Sequence, residues 1–356
     1  MRPFHTTVSE VPVTPVHVVL TAGMPVPDAL VDELQAVDPR LRIQKVSREQ
    51  RPFLAAGRGD SPEPDAQALK GMLADAEVVI AAFEAPADLM QRTPKIRWFH
   101  TFSAGVEQYV RWGYLDRDVI FTNGSGPSAQ PIAEYVMMTA LMLAKRAAEY
   151  IRLQDQGRWQ RLVEGPNGGT ELRGKTVGIV GLGAIGDETA RLAKAFGCRV
   201  IATRRSATYP RENTDGVDLL LPAADLQRLL SESDFVVLTA PATPETRGMM
   251  NAETFGQMKS GAFLINIARG TLVDEAALIA AIKDGRIAGA ALDVFDREPL
   301  PVESELWRLP QVIVTPHISA ASQHFLRRQV DICKKNLARY LRGEQLANLV
   351  TRERGY

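Results

Sequence analysis

Short apolar runs alternate with stretches of helical spacing through the first third of the chain. Val16–Leu20, Ile43–Val46, Val78–Ala81, Trp98–Thr101 and Val119–Phe121 have strand length and near-continuous apolar character, the pattern of strands buried on both faces. Pro27–Val37 and Asp65–Leu73 carry helical periodicity between them, and the alternation predicts a parallel sheet. Arg48–Pro64, with Gly, Pro, mixed charge and no periodicity, predicts a surface loop. The string Asn123-Gly124-Ser125-Gly126-Pro127 is a strong break, and one long helix is predicted over Pro131–Tyr150. Its Met137, Met138 and Met142 suit core packing or a subunit interface better than a cofactor contact. Ile151–Thr170 reads as an extended arm in which Trp159 is a buried anchor, within the chain or against a second one.

A second alternating series begins at Lys175. Its strand candidates are Thr176–Val180, Arg199–Thr203, Phe235–Leu238, Phe263–Ile267, Gly289–Leu292 and Val312–Val314, with helical patterns between most of them, including Asp274–Lys283. That rhythm belongs to a doubly wound nucleotide-binding domain. An amphipathic helix, about Gln323–Leu341, ends the chain without a sheet of its own. It must dock on one of the two lobes.

Gly181-Leu182-Gly183-Ala184-Ile185-Gly186 follows the first strand of the second series and opens a helix reaching about Phe196. In this context the glycines allow the tight turn, the close approach to a pyrophosphate and close helix–strand packing, with the helix N-terminus facing the anion. NAD-specific domains place an acidic residue at the end of the next strand, for the ribose 2′-hydroxyl. Here Thr203-Arg204-Arg205-Ser206 stands there, with no carboxylate before Glu212. Two guanidiniums and two hydroxyls suit a 2′-phosphate, which points to NADPH.

Ligands of an open parallel sheet bind outside the carboxyl ends of its strands. Three groups follow successive strands: Arg269 after Phe263–Ile267, Glu298 after Gly289–Leu292, and His317 after Val312–Val314. Reduction of a 2-oxo acid needs a proton donor and a cation for the carboxylate. Histidine exchanges protons near neutrality, a neighbouring carboxylate favours its protonated form, and arginine forks onto carboxylates.

Composition narrows the alternatives. The 356 residues exceed what one hydrophobic core usually serves, so two domains are expected. With 42 basic and 42 acidic residues, net charge +0, no global field attracts nucleic acid or a membrane surface. Cys198 and Cys333 form no metal-binding or disulfide pattern. The segment Met1–Glu10 lacks the apolar core of a signal peptide, and the apolar run Tyr135–Ala144 is half a membrane span, so a cytoplasmic protein without metal is expected.

Taken together, the Gly181–Gly186 loop, Leu238–Thr246, Asn266–Gly270, Ala291–Phe295 with Glu298-Pro299-Leu300, and Thr315-Pro316-His317 resemble the D-isomer-specific 2-hydroxyacid dehydrogenases. Ser103–Glu107 and Ile132-Ala133-Glu134 match more loosely. The resemblance implies an α/β fold of two Rossmann-like or flavodoxin-like lobes with parallel sheets and an active site in the interlobe cleft. Residues 1–125 with 319–356 would form the substrate lobe and 126–318 the dinucleotide lobe, through which the family is typically homodimeric. It further implies that Arg269 orients substrate, His317 is the acid/base beside the cofactor and Glu298 tunes it. Asp293 is expected near the nicotinamide carboxamide, Thr239, Pro241, Thr246, Ile267 and Ala268 along the cofactor, and Ser103, Ala104 and Gly105 at the substrate carboxylate. Where NAD-using members carry Asp, this chain has Arg204, as in the NADPH-dependent glyoxylate/hydroxypyruvate reductase branch; NADP(H) is thus expected ahead of NAD(H). The rivals are a non-catalytic dinucleotide-sensing regulator like the C-terminal-binding corepressors, and a formate or phosphite dehydrogenase. Trp98, Phe99, Phe102 and Tyr109 are expected mostly in the core, and His100 and His324 to be structural.

Overall fold

A computed structural model describes residues 14–55, 60–83, 85–162 and 169–352. Met1–Glu10 and parts of the expected loop (56–59) and arm (163–168) lie outside the described residues. The chain divides into two compact units, Met1–Ser125 with Leu326–Tyr356, and Gly126–Phe325. The return to the first unit falls at Leu326 rather than at 319. The reason is local: the Ser319 N–H donates to buried Asp293 at 2.8 Å, and Ala320 packs on the second unit's core.

The first unit holds five parallel strands, β1 (Val16–Ala22), β2 (Leu41–Lys45), β3 (Val78–Ala82), β4 (Trp98–Thr101) and β5 (Ile120–Asn123), in the order β2-β1-β3-β4-β5. That order is flavodoxin-like. Every residue of β3 and β4 is buried, as expected of parallel strands covered on both faces. The expected loop Arg48–Pro64 contains a helical turn, Arg51–Leu54, because Leu54 is drawn into the core beside Leu69 and Leu73. Trp98, Phe99, Phe102 and Tyr109 are all core residues. His100 is fully buried against the Thr122 hydroxyl, 2.8 Å from Nδ1, and burial pushes its pKa down to about 3, so it packs as a neutral ring.

The C-terminal helix, Phe325–Leu341, docks on this unit through its polar residues as well as its apolar face. Gln329 is fully buried, and its Nε2 donates to Phe102 O at 3.0 Å and Gly124 O at 3.2 Å. Asn336 exchanges two hydrogen bonds with Ala347, and the Tyr340 hydroxyl donates to Glu77. Gly124 admits no side chain, since a Cβ there would lie 2.2 Å from Phe102 O.

The second unit holds eight strands: β6 (Thr176–Val180), β7 (Arg199–Arg204), β8 (Arg211–Thr214), β9 (Val217–Pro222), β10 (Phe235–Leu238), β11 (Phe263–Asn266), β12 (Gly289–Leu292) and β13 (Val312–Val314). Their order is β13-β12-β11-β10-β6-β7-β9-β8, parallel except for the β8–β9 pair. The strand order reverses between β6 and β10, the topological switch point of a Rossmann domain. The β8–β9 hairpin was not among the sequence expectations. The long helix expected over Pro131–Tyr150 is two helices, Ala129–Ala144 and Ala147–Asp155, broken where Arg146 adopts φ +56° and pairs with Glu149. Met137 is buried and Met138 exposed. Trp159 is 95% exposed, so it is not buried against the described residues of its own chain.

Gln329 Nε2 serves two carbonyls at once, Phe102 O and Gly124 O. Its replacement, Gln329→Ala, leaves both unsatisfied beside a cavity and should cost about 2–4 kcal/mol. Urea unfolding measures this; an unchanged midpoint would refute the glutamine as the helix's fastening.

Candidate functional site

The glycine loop is built at the switch point. Gly181 follows β6 with φ +105°, a left-handed conformation that favours glycine, and a Cβ there would lie 2.8 Å from the Ala240 backbone. A Cβ on Gly186 would stand 2.8 Å from Gly181 O, so helix and strand meet too closely for a side chain. At Gly183, which precedes the helix Ala184–Ala195, a Cβ would meet nothing within 4 Å. Gly183 and Ala184 are exposed, and the N–H groups of Ala184, Ile185 and Gly186 open a helix and have no intrahelical acceptors. This open seat at a helix N-terminus fits a dinucleotide diphosphate.

Hydroxyls from neighbouring strands brace the seat. Thr203 Oγ1 accepts the Gly181 N–H at 3.2 Å and its carbonyl accepts the Leu182 N–H at 2.7 Å. Thr239 Oγ1 donates to Gly181 O at 2.6 Å. Thr246 Oγ1 donates to Pro241 O at 2.7 Å and accepts the Thr243 N–H at 2.8 Å, closing the turn after β10. These threonines shape the loops through their own backbone contacts. Arg204 ends β7 beside them. Its Nε donates to Leu182 O at 3.0 Å, one terminal nitrogen donates to Asp215 at 2.7 Å, and the other lies 3.6 Å from Asp187. Arg205 and Ser206 follow, both exposed.

Three turns after β11, β12 and β13 carry the expected chemical groups. Buried Asn266 fixes the first: its Oδ1 accepts the Ala268 N–H at 3.1 Å and its Nδ2 donates to Arg269 O at 2.9 Å. Ile267 and Ala268 are buried, while Arg269 is half-buried and donates one guanidinium nitrogen to Ala268 O at 2.6 Å. Gly270 then passes directly against the second turn, where a Cβ would be 1.8 Å from the Phe295 carbonyl carbon. In that second turn the Phe295 N–H donates to Glu298 Oε1 at 3.0 Å. The other carboxylate oxygen, Oε2, meets His317 Nδ1 at 2.8 Å. His317 has φ +54° and an exposed ring, and among the described residues its Nε2 has no hydrogen-bond partner. With Nδ1 on a carboxylate, Nε2 is the nitrogen left to exchange a proton with a ligand.

Asp293 holds the third turn. It is fully buried, and its carboxylate accepts the Thr315 hydroxyl at 2.6 Å and the N–H groups of Ile318 and Ser319, each at 2.8 Å. Its carbonyl accepts the His317 N–H at 2.8 Å. The Tyr135 hydroxyl, 2.6 Å from Thr315 Oγ1, extends this network. Sequence reasoning expected Asp293 at the cofactor's carboxamide; its carboxylate oxygens are engaged by its own chain. It also missed Asn266, Tyr135, Asp187 and Asp215 as supports. Of these only Asp215 carried a local signal, an Asp-Gly hairpin turn.

In the first unit, Ala104 is exposed and its carbonyl accepts from Asn123 Nδ2 at 2.9 Å. Ser103 and Gly105 flank it in the loop after β4, with the Ser103 N–H on Thr101 Oγ1 at 3.2 Å. His324 is exposed and bonded to Gln323. A concavity of about 610 Å³ lies at the amino-terminal edge of the second sheet, lined by Arg146, Lys175, Asp234, Phe263 and Ile313 among others. It is at the opposite end of the strands from the chemical groups. Among the described residues no cluster of three or more metal-ligating side chains occurs, and no helix is long and apolar enough to cross a membrane.

Residues 137–319 match the family model for the D-isomer specific 2-hydroxyacid dehydrogenase NAD binding domain. A glyoxylate reductase of Thermofilum pendens is 33% identical over 287 residues, covering 78% of this chain and 82% of its own. A D-isomer specific 2-hydroxyacid dehydrogenase of Xanthobacter autotrophicus, solved with NADPH and MES, superposes with TM-score 0.77 at 31% identity, covering 95% of this chain and 100% of its own. An NADPH-dependent glyoxylate/hydroxypyruvate reductase of Sinorhizobium meliloti, solved with NADP and sulfate, gives TM-score 0.75 at 27% identity, covering 95% of this chain and 99% of its own. Sequence and overall fold agree, and the chain belongs to the D-isomer specific 2-hydroxyacid dehydrogenases, a family of NAD(P)-dependent oxidoreductases.

Proposed function

We propose that this oxidoreductase reduces 2-oxo acids to D-2-hydroxy acids with NADPH preferred over NADH, glyoxylate and hydroxypyruvate being the first substrates to test. The observation that carries the reading is the His317–Glu298 pair, 2.8 Å apart, with Glu298 in the turn against which Gly270, next to Arg269, packs. A bound reduced nicotinamide supplies the hydride for the carbonyl carbon. Arg269 receives the substrate carboxylate and polarises its carbonyl, with Ala104 and Gly105 offering backbone donors and Ser103 beside them. His317 delivers the proton from Nε2 to the carbonyl oxygen, so that the new C–H and O–H bonds together make the hydroxy acid. Glu298 holds the ring by Nδ1 and so keeps Nε2 turned to the ligand. The glyoxylate reductases among the relatives support the substrate class, and the NADPH and NADP in two structural neighbours support the cofactor. The absence of an apolar spanning helix among the described residues is compatible with a cytoplasmic enzyme.

We also propose a homodimer formed through the second unit. Support comes from the exposed apolar side chains of the helix Ala147–Asp155 and the segment after it, Tyr150, Ile151 and the 95% exposed Trp159. A large aromatic left in water is an unusual cost unless a partner covers it.

Replacing the acid/base, His317→Ala, should lower kcat with glyoxylate, hydroxypyruvate or branched 2-oxo acids by about 10²–10⁴-fold. Near-wild-type turnover across that panel would remove His317 from its role, and no turnover of any 2-oxo acid by the unaltered protein would sink the substrate class. Changing Arg204 and Arg205 together to Ala should shift the NADPH/NADH ratio of kcat/KM toward NADH by at least about tenfold, the effect of losing a guanidinium–phosphate contact. An unchanged ratio refutes the 2′-phosphate reading. Light scattering on Trp159→Ser should report a smaller assembly than the unaltered chain; identical masses would refute the arm as the dimer contact.

A further inference from the structure

Arg204 is held by more negative charge than the sequence around it suggests. Asp215 lies in the two-residue turn Asp215-Gly216 of the β8–β9 hairpin, where Thr214 pairs with Val217. Both turn residues have positive φ, +51° and +77°, the requirement of the tight turn that matches strand twist. The turn therefore delivers the Asp215 carboxylate to a fixed place, 2.7 Å from Arg204 and 3.8 Å from Arg211. Asp187 comes from the other side, on the first turn of the helix that follows the glycine loop, 3.6 Å from Arg204. The two carboxylates feel each other: burial chiefly lifts the Asp187 carboxyl above the usual aspartate range, the charge of Arg204 opposes this, and the charge of Asp215 adds to it.

A 2′-phosphate brought to Arg204 would meet these two anions along with the guanidinium. The same carboxylates are the type of group that accepts a ribose 2′-hydroxyl. Arg204 also has its Nε committed to Leu182 O, leaving the terminal nitrogens, the ones facing Asp215 and Asp187, for a ligand. We infer that Asp215, with Asp187 behind it, restrains discrimination for a 2′-phosphate at this corner, so that the seat accepts phosphorylated and unphosphorylated ribose with less contrast than its arginines alone would give. The inference rests on the proposed role of Arg204 in reading the 2′ position.

The test is the dissociation constant of NADPH and of NADH, measured by titration calorimetry at one ionic strength on the full chain and on Asp215→Asn, Asp187→Asn and Arg204→Ala. Asparagine tolerates the positive φ of residue 215, so the hairpin is kept. Asp215→Asn should tighten NADPH about three- to tenfold and leave NADH unchanged or weaker, with a smaller change in the same direction for Asp187→Asn, whose carboxylate is farther away. Arg204→Ala should weaken NADPH selectively. If Arg204→Ala alters the NADPH/NADH ratio while Asp215→Asn leaves it unchanged or lowers it, the restraint is refuted and the phosphate-reading role stands. If Arg204→Ala also leaves the ratio unchanged, the role of Arg204 fails and the inference fails with it.

Discussion

A carboxylate with no exposure to water has to collect its hydrogen bonds from the protein, and Asp293 collects them from one short segment. The Thr315 hydroxyl and the Ile318 and Ser319 N–H groups all converge on it, and its carbonyl takes the N–H of His317. Releasing any of these donors would leave buried charge under-satisfied, at about 1–3 kcal/mol for each group. This fixes the turn after β13, including the positive φ of His317 that sets where the imidazole points. Glu298 then only has to reach a ring whose backbone is already placed. The 2.8 Å contact of the pair follows from the clamp as much as from the attraction between the two groups.

The other two turns are registered on the same frame by exclusion rather than attraction. Gly270 leaves no room for a Cβ against Phe295, so the Arg269 turn and the Glu298 turn must lie in direct backbone contact. Asn266, buried at the end of β11, closes the Arg269 turn from within, and the Phe295 N–H ties down Glu298. Parallel strands in register deliver their carboxyl ends side by side, and small or hydrogen-bonded residues set the final spacing. Reactive groups on such a frame lose little entropy on meeting a ligand.

Much of this was legible from the chain itself. The continuous apolar runs marked nearly all the parallel strands, and the expectation that Arg269, Glu298 and His317 stand in turns just after such runs agrees with where β11, β12 and β13 end. What escaped depends on partners distant in sequence. Asp293 is engaged by residues from Thr315 to Ser319, and nothing in its own neighbourhood signals those partners. Arg146 breaks the long helix without a Gly or Pro, through a positive φ steadied by Glu149, so periodicity ran on through the break. The hairpin Arg211–Pro222 hid because β8 is polar and exposed, and an edge strand of that kind lacks an apolar signature.

That hairpin changes how the edge of the second sheet should be understood. In the sequence, Arg204 and Arg205 form an isolated basic pair in a chain of balanced charge. In the fold, β9 pairs with β7 and β8 turns back alongside it, so the Asp215-Gly216 turn is brought to the carboxyl end of β7 by sheet geometry. The guanidinium is consequently neutralised from two sides, by a turn residue and by a helix residue whose positions are set by separate backbone constraints. Moving Asp215 would require breaking a turn with two left-handed residues, and moving Asp187 would require unwinding the helix that follows the glycine loop. The charge balance around Arg204 is therefore a property of the scaffold, and the preference for one cofactor over another has to be written on top of it.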